Sequence, residues 1–185
     1  MKILKLLVKT IWNLLAVLGI IVTAFVIILS INIYSDTKDS LNTLSKHVAK
    51  GNGMAPTIKK GDVFIVDKSI KDFQRGDIIL YKIPNDSSYF QRIIAIPGDK
   101  IEIKRNKQQI TEVYLNDKLL DETYKVKKKE TSPHPKAIHF GPIVVEENHY
   151  FVLGDDRDLS YDSRFMGALD KNLIIGKVVK IVDKN

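Results

Sequence analysis

The segment Tyr89-Phe90-Gln91-Arg92-Ile93-Ile94-Ala95-Ile96-Pro97-Gly98-Asp99 decides how this chain folds. Aromatic and β-branched residues dominate its first part, and Pro-Gly-Asp stops it too early for a helix, so Tyr89 to Ile96 reads as a strand. The closing Gly98-Asp99 turns the chain into a second run, Ile101-Glu102-Ile103-Lys104, whose strict alternation is that of a half-buried strand. The same Gly-Asp pair stands before two earlier runs: Gly61-Asp62 before Val63-Phe64-Ile65-Val66, and Gly76-Asp77 before Ile78-Ile79-Leu80-Tyr81. Further outward, Glu112 to Leu115, Tyr150 to Leu153 and Ile174 to Val182 have the same character. Beyond the N-terminal region only Ser160 to Gly167 suggests a helix. The expected fold is mainly β: one domain of antiparallel sheets at 49–185.

The N-terminal region differs in kind. Ile11 to Ile33 is apolar, free of charge, and interrupted only softly by Asn13, Thr23, Ser30 and Asn32. As a helix rising about 1.5 Å per residue it would cross a hydrocarbon core of ~30 Å. A cleaved secretory signal has a shorter apolar core and a small-residue cleavage site, neither of which is evident here. Residues 11–33 are therefore expected to be an uncleaved transmembrane helix in contact with membrane lipids. Lys2, Lys5 and Lys9 precede the span and the first acid, Asp36, follows it. By the positive-inside bias, residues 1–10 are cytoplasmic and the C-terminal domain is extracytoplasmic, on a single-pass protein of the cell membrane. Residues 34–48, polar and rich in Ser, Asp, Asn and Thr, read as a linker.

Composition excludes several functions. The chain of 185 residues has a formal charge of +7, and beyond the apolar run 26 basic residues face 22 acidic ones. That excess suits anionic lipid or cell-wall polymers, and no dense basic stripe with interleaved aromatics points to nucleic acid. Cysteine is absent, and His47, His134, His139 and His149 form no metal-binding spacing, so no metal or cofactor is expected. Lys125 to Lys129 reads as a solvated loop, and Lys129 to Pro142, with three prolines, as a connecting excursion without strand pattern.

Four short blocks remain, in fixed order. They are Gly51-Asn52-Gly53-Met54-Ala55-Pro56-Thr57; Arg75 to Tyr81; Tyr89 to Asp99; and Gly154-Asp155-Asp156-Arg157-Asp158-Leu159-Ser160-Tyr161-Asp162-Ser163-Arg164-Phe165-Met166-Gly167. Together with the N-terminal span, they resemble the type I signal peptidases (peptidase family S26, the bacterial leader peptidases), membrane-bound serine endopeptidases that cut signal peptides from exported proteins. The resemblance covers nearly the whole chain.

That family works by a Ser-Lys dyad. A serine of the first block attacks the scissile carbonyl, and a buried, neutral lysine of the third takes its proton. Carried over by position, the serine falls at 53 and the lysine at 91, where this chain has Gly53 and Gln91. Glycine offers no nucleophile, and an amide has no useful basicity near neutral pH. The chain also has Ala95 where the family often has glycine, and Asp156 where it has asparagine. Gly51 stands two before the nucleophile position, where the family can form part of an oxyanion hole, and offers only its backbone. Ser160 matches the serine that orients the lysine, and here would face Gln91. Asp162 and Arg164 match a structural ion pair, expected to be partly buried. Gly51, Met54 and Pro56 are the candidate substrate-binding residues. Of the possible stand-ins, Thr57 is four residues along, Ser87 and Ser88 fall in a predicted turn, and Lys50 reads as exposed.

The implied function is a pseudoenzyme: a membrane-anchored homologue that binds the signal peptides of exported preproteins without cutting them. Two alternatives stand beside it. One is an active signal peptidase with displaced catalytic groups; the other is a non-catalytic regulator that binds the secretion machinery or an active signal peptidase paralogue.

Overall fold

A helix of 42 residues, α1 (Lys2–Thr43), opens the chain in the computed structural model, which describes residues 2–83, 87–125 and 139–182. An 18-residue window within its stretch Lys9–Ser35 has a mean hydropathy of 3.0, and large apolar side chains such as Trp12, Leu15, Leu18 and Ile21 are exposed around it. The hydroxyls inside this stretch fold back onto the helix. Thr23 Oγ1 donates to the Ile20 carbonyl at 2.9 Å and Ser30 Oγ to the Val26 carbonyl at 2.8 Å, the arrangement that lets a polar side chain sit in an apolar span. The chain divides into two units after Thr43.

From Leu44 onward the protein is built of antiparallel strands. They are β1 (Leu44–Val48), β2 (Val63–Asp67), β3 (Ile78–Lys82), β4 (Ser88–Ala95), β5 (Lys100–Arg105), β6 (Thr111–Leu115), β7 (Lys118–Leu119), β8 (His139–Val144), β9 (His149–Leu153), β10 (Leu169–Asp170) and β11 (Ile174–Val182). A one-turn helix, α2 (Ser163–Met166), lies between β9 and β10. Seven strands form one sheet in the order β1-β2-β11-β3-β4-β9-β10, and four form a smaller one in the order β7-β6-β5-β8.

The repeated Gly-Asp pair has one physical explanation. In each of the three turns the Asp carboxylate accepts the backbone N–H three residues earlier, and the Asp N–H donates to that same residue's carbonyl. Lys59/Asp62, Gln74/Asp77 and Ile96/Asp99 are the pairs, at 2.8–3.0 Å through the side chain and 3.0–3.1 Å through the backbone. The residue between must turn left-handed, which glycine does without strain: φ is +91° at Gly76 and +85° at Gly98. One doubly bonded turn thus delivers the chain into β2, β3 and β5.

Alternation then sorts the core. Ile79, Tyr81, Ile93, Tyr150 and Val152 pack on one face of the β3-β4-β9 region. Ile94, Ala95, Phe151 and Leu153 face the other way, against Ile101, Ile103 and Val113 of the small sheet. The register shift between Ile93 and Ala95 places adjacent residues 94 and 95 in the same cluster. A third cluster gathers Met54, Ile58, Phe64, Val66, Ile78 and Leu80. With both faces covered, β3, β4 and β9 carry the near-continuous apolar runs that mark them in the sequence.

Three expectations are corrected. The segment 34–48 is not a plain linker: α1 continues to Thr43, and Leu44–Val48 pairs with β2 as an edge strand. Its inward residues are Ser45 and His47, the latter stacked on Phe64 at 5.5 Å, so a polar inner face conceals the strand pattern. The end of the excursion 129–142 is the start of β8, which tolerates Pro142 because β8 is an edge strand; 129–138, with His134, lie outside the described residues. Of the run 125–129, Lys125 is buried and donates to the Thr111 carbonyl at 2.5 Å, and the others lie outside the described residues.

Asp99 ties two turns together. Burial raises its pKa, but hydrogen bonds from Arg75, the Ile96 N–H and Asn116 outweigh this and hold it below the usual carboxylate range. A depressed pKa contributes stability that is present above the unfolded value of about 3.9 and lost as pH falls through the folded one. Asp99→Asn is expected to cost about 2 kcal/mol at pH 7. In denaturant unfolding of the detergent-solubilised protein the gap should close below about pH 4; a gap independent of pH contradicts this role.

Candidate active site

Strand β4 pairs with β3 so that Gln91 stands opposite Ile79 and Tyr89 opposite Tyr81, which puts Gln91 on the face of Ile93 and Tyr81. It is only 3% exposed, and its amide is fully used. Oε1 accepts the Tyr81 hydroxyl at 2.8 Å, while Nε2 donates to Ser160 Oγ at 3.0 Å and to the Tyr161 carbonyl at 2.7 Å. A backbone carbonyl only accepts, so the amide orientation is fixed by Tyr161. Tyr81 is buried, and burial, with the nearby Asp162 charge, raises its phenol far above the ordinary range. It is a neutral hydroxyl donor across the working pH range.

Gly53 lies in the turn after β1, its carbonyl accepting the Asp156 N–H at 3.0 Å. A Cβ there would lie 3.3 Å from the Leu159 carbonyl oxygen and 3.7 Å from Ser160 Cα and Cβ, so position 53 faces the segment that also holds Gln91. Gly154 lets these segments meet. A Cβ on it would come within 2.1 Å of Ser160 Oγ and 2.5 Å of the Gly53 carbonyl oxygen, distances that no side chain tolerates. The structure thereby brings Gly53, Gln91 and Ser160 together.

They line a cavity of about 350 Å³, with Lys50, Gly51, Asn52, Met54, Ser88, Tyr89, Phe90, Leu159 and Tyr161 completing its wall. Leu159 and Tyr161 are exposed beside it, and among the described residues no carboxylate lines it. Of the candidate substrate-binding residues, Gly51 and Met54 line the cavity; Pro56 is exposed and does not. The aromatic wall of Tyr89, Phe90 and Tyr161 was not singled out from sequence. Its members stand within the third and fourth blocks, beside residues that were.

Behind the cavity lie ion pairs. Arg92 grips Asp155 with two hydrogen bonds (2.9 and 2.7 Å), donates to the Gly76 carbonyl at 2.9 Å and stacks over Tyr124 at 4.1 Å. Arg157 pairs with Glu122 and donates to the Gly154 carbonyl. Arg164 pairs twice with Asp162, at 2.8 and 2.9 Å, and donates to the Arg157 carbonyl at 2.7 Å. The Asp162–Arg164 pair is wholly buried rather than partly so, because α2 starts on the Asp162 cap and turns Arg164 back into the protein. Such pairs add little net stability but are costly to break singly, which fixes the geometry of the four blocks. Glu122 and Tyr124 lie outside those blocks, and no sequence signal marks them.

Among the possible stand-ins, Thr57 is engaged elsewhere. The Thr57 hydroxyl donates to Asp155 at 2.5 Å and accepts from Arg92, within the ion-pair cluster. Ser88 and Lys50 reach the cavity wall, Lys50 being exposed. Ser45 Oγ and His47 Nε2 are 2.9 Å apart on β1, away from the cavity wall, and burial and the Lys68 charge lower the imidazole pKa.

Comparison with known proteins identifies the family. The profile of the family "Signal peptidase, peptidase S26" matches residues 6–182. Signal peptidase I S of Bacillus subtilis (strain 168) is 36% identical over 138 residues, covering 70% of this chain and 72% of that protein. Signal peptidase IB of Staphylococcus aureus (strain COL) is 32% identical over 150 residues, covering 73% and 75%. A probable signal peptidase I-2 of Synechocystis is 31% identical over 137 residues, and the match spans 57% of its length. A crystal structure of a signal peptidase I from Enterococcus faecalis V583 overlaps 58% of this chain and 97% of its own, at 29% identity and a TM-score of 0.46. The chain belongs to the signal peptidase family, peptidase S26.

Proposed function

We propose that this protein is a signal-peptidase homologue that binds signal-peptide segments of exported preproteins and does not cut them. One observation carries the reading. The cavity, its Ser160 and the ion pairs behind it are all in place, yet positions 53 and 91 present a bare backbone and a hydrogen-bonded amide. Acyl transfer needs a nucleophile and a base within hydrogen-bond reach of each other. Glycine and glutamine supply neither, and losing the nucleophile alone from a serine hydrolase costs on the order of a millionfold in turnover. An extended peptide, by contrast, is held mainly by main-chain hydrogen bonds and side-chain pockets, which these substitutions leave standing.

The rest of the reading follows from the apolar span and the charges that flank it. Residues 11–33 lie in the membrane as a single span, residues 1–10 are cytoplasmic, and the β domain works on the opposite side, near emerging preproteins. A protein that binds such segments without cutting them fits beside an active paralogue, as a holder or regulator of its substrates. The rival reading, activity through displaced groups, is disfavoured because Thr57 is committed to Asp155 and Arg92 and the Ser45–His47 pair lies away from the cavity wall.

Two outcomes are expected. Incubated in detergent with a preprotein carrying an Ala-x-Ala site, the protein yields no product by mass spectrometry; specific cleavage after that site would refute the reading. Gly51 has open space where a side chain would begin, so Gly51→Trp adds bulk at the cavity wall without a clash at its Cβ. Fluorescence anisotropy with a labelled signal peptide should show binding by the unaltered protein and a loss of roughly tenfold or more in the variant, the size of a blocked contact worth about 1.4 kcal/mol. Equal affinities would place the peptide elsewhere.

A further inference from the structure

We propose that Tyr81 is a third determinant of the silent site, because its hydroxyl reaches the tip of side chain 91, the end at which a base there would carry its lone pair. This rests on the reading that positions 53 and 91 are the vacated nucleophile and base. Tyr81 is wholly buried on the neighbouring strand β3, and Gln91 Oε1, at 2.8 Å, is its one hydrogen-bond partner among the described residues. The phenol therefore has a proton to give and one place to give it. An amide oxygen accepts that hydrogen bond at no loss, since its two lone pairs have no other duty.

A lysine in the same place behaves differently. A neutral amine has a single lone pair, the one that must receive the nucleophile's proton. With Ser160 Oγ and the Tyr161 carbonyl already around the tip of side chain 91, the Tyr81 hydroxyl is the donor aimed at it, and a buried hydroxyl left without an acceptor is costly. The hydroxyl thus competes for the lone pair at the distance where a base would act. Tyr81 is a positioning residue: it touches no peptide and does not line the cavity, yet it sets what the side chain at 91 can do. The loss of chemistry is built into three positions rather than two. Tyr81→Phe removes only the oxygen and keeps the ring against Tyr89, 6.0 Å away centroid to centroid.

The test uses the full chain in detergent and a fluorophosphonate probe, whose reaction needs no bound peptide. The hydroxyl introduced by Gly53→Ser forms the O–P bond as the P–F bond breaks and fluoride leaves, and its proton passes to the amine introduced by Gln91→Lys. The labelling rate of Gly53→Ser/Gln91→Lys should rise about tenfold or more when Tyr81→Phe is added, the worth of one freed hydrogen bond. That gain should follow the titration of a single base in the pH profile. In a Gly53→Ser background that keeps Gln91, Tyr81→Phe should give no gain. In the otherwise unaltered protein it should lower the melting temperature by roughly 3–5 °C, because it strands the amide oxygen. Equal labelling of the double and triple variants, whether fast or at background, would overturn the proposal, as would an equal gain with Gln91 in place. A failure of peptide binding alone leaves these rates unchanged and bears only on the function proposed above.

Discussion

Three stretches of backbone meet at Gly154, where a single methyl group would strike both Ser160 and the Gly53 carbonyl. Everything distinctive about the site depends on that close approach. It brings the turn after β1, the end of β9 and the 159–161 segment within reach of one side chain on β4. Gln91 then locks the junction with one accepted and two donated hydrogen bonds. A fully satisfied buried amide is rigid and specific, whereas a half-satisfied one would be destabilising, so position 91 now serves the architecture.

The three arginine–carboxylate groups behind the junction act in the same sense. Arg92, Arg157 and Arg164 tie together strands β3, β4 and β9 and the segment before α2 through carboxylates and carbonyls. Desolvation offsets most of what such pairs gain by attraction, so their main effect is to forbid alternatives: moving any one block leaves a buried charge alone. These pairs hold Gly53, Gln91 and Ser160 in one geometry.

The sequence was most readable where one face, or both, is buried. The runs in β2 to β6, β9 and β11 stand out because alternation or a continuous apolar stretch shows directly in residue type. The three Gly-Asp turns were equally plain, since their chemistry is local. Strand β1 was hidden because Ser45 and His47 occupy its inner face, and β8 because Gly141 and Pro142 interrupt it. Within the site, motif locates Gly53, Gln91 and Ser160; Tyr81 closes the second block without its role showing there, and Glu122 and Tyr124 lie outside the blocks. Their roles arise from partners 10 to 35 residues away in the chain, as in Tyr81–Gln91 and Glu122–Arg157, and long-range pairing leaves no local signal.

The account makes binding and cutting separable in this protein, and one measurement addresses both. A photo-crosslinker placed at Ser88, on the cavity wall, would be activated in the presence of a full-length preprotein, and the captured species weighed by mass spectrometry. The account predicts a crosslinked preprotein of uncut mass, diminished by an excess of unlabelled signal peptide. Capture of a fragment ending at the signal-peptide cleavage site, with release of the mature protein, would contradict it.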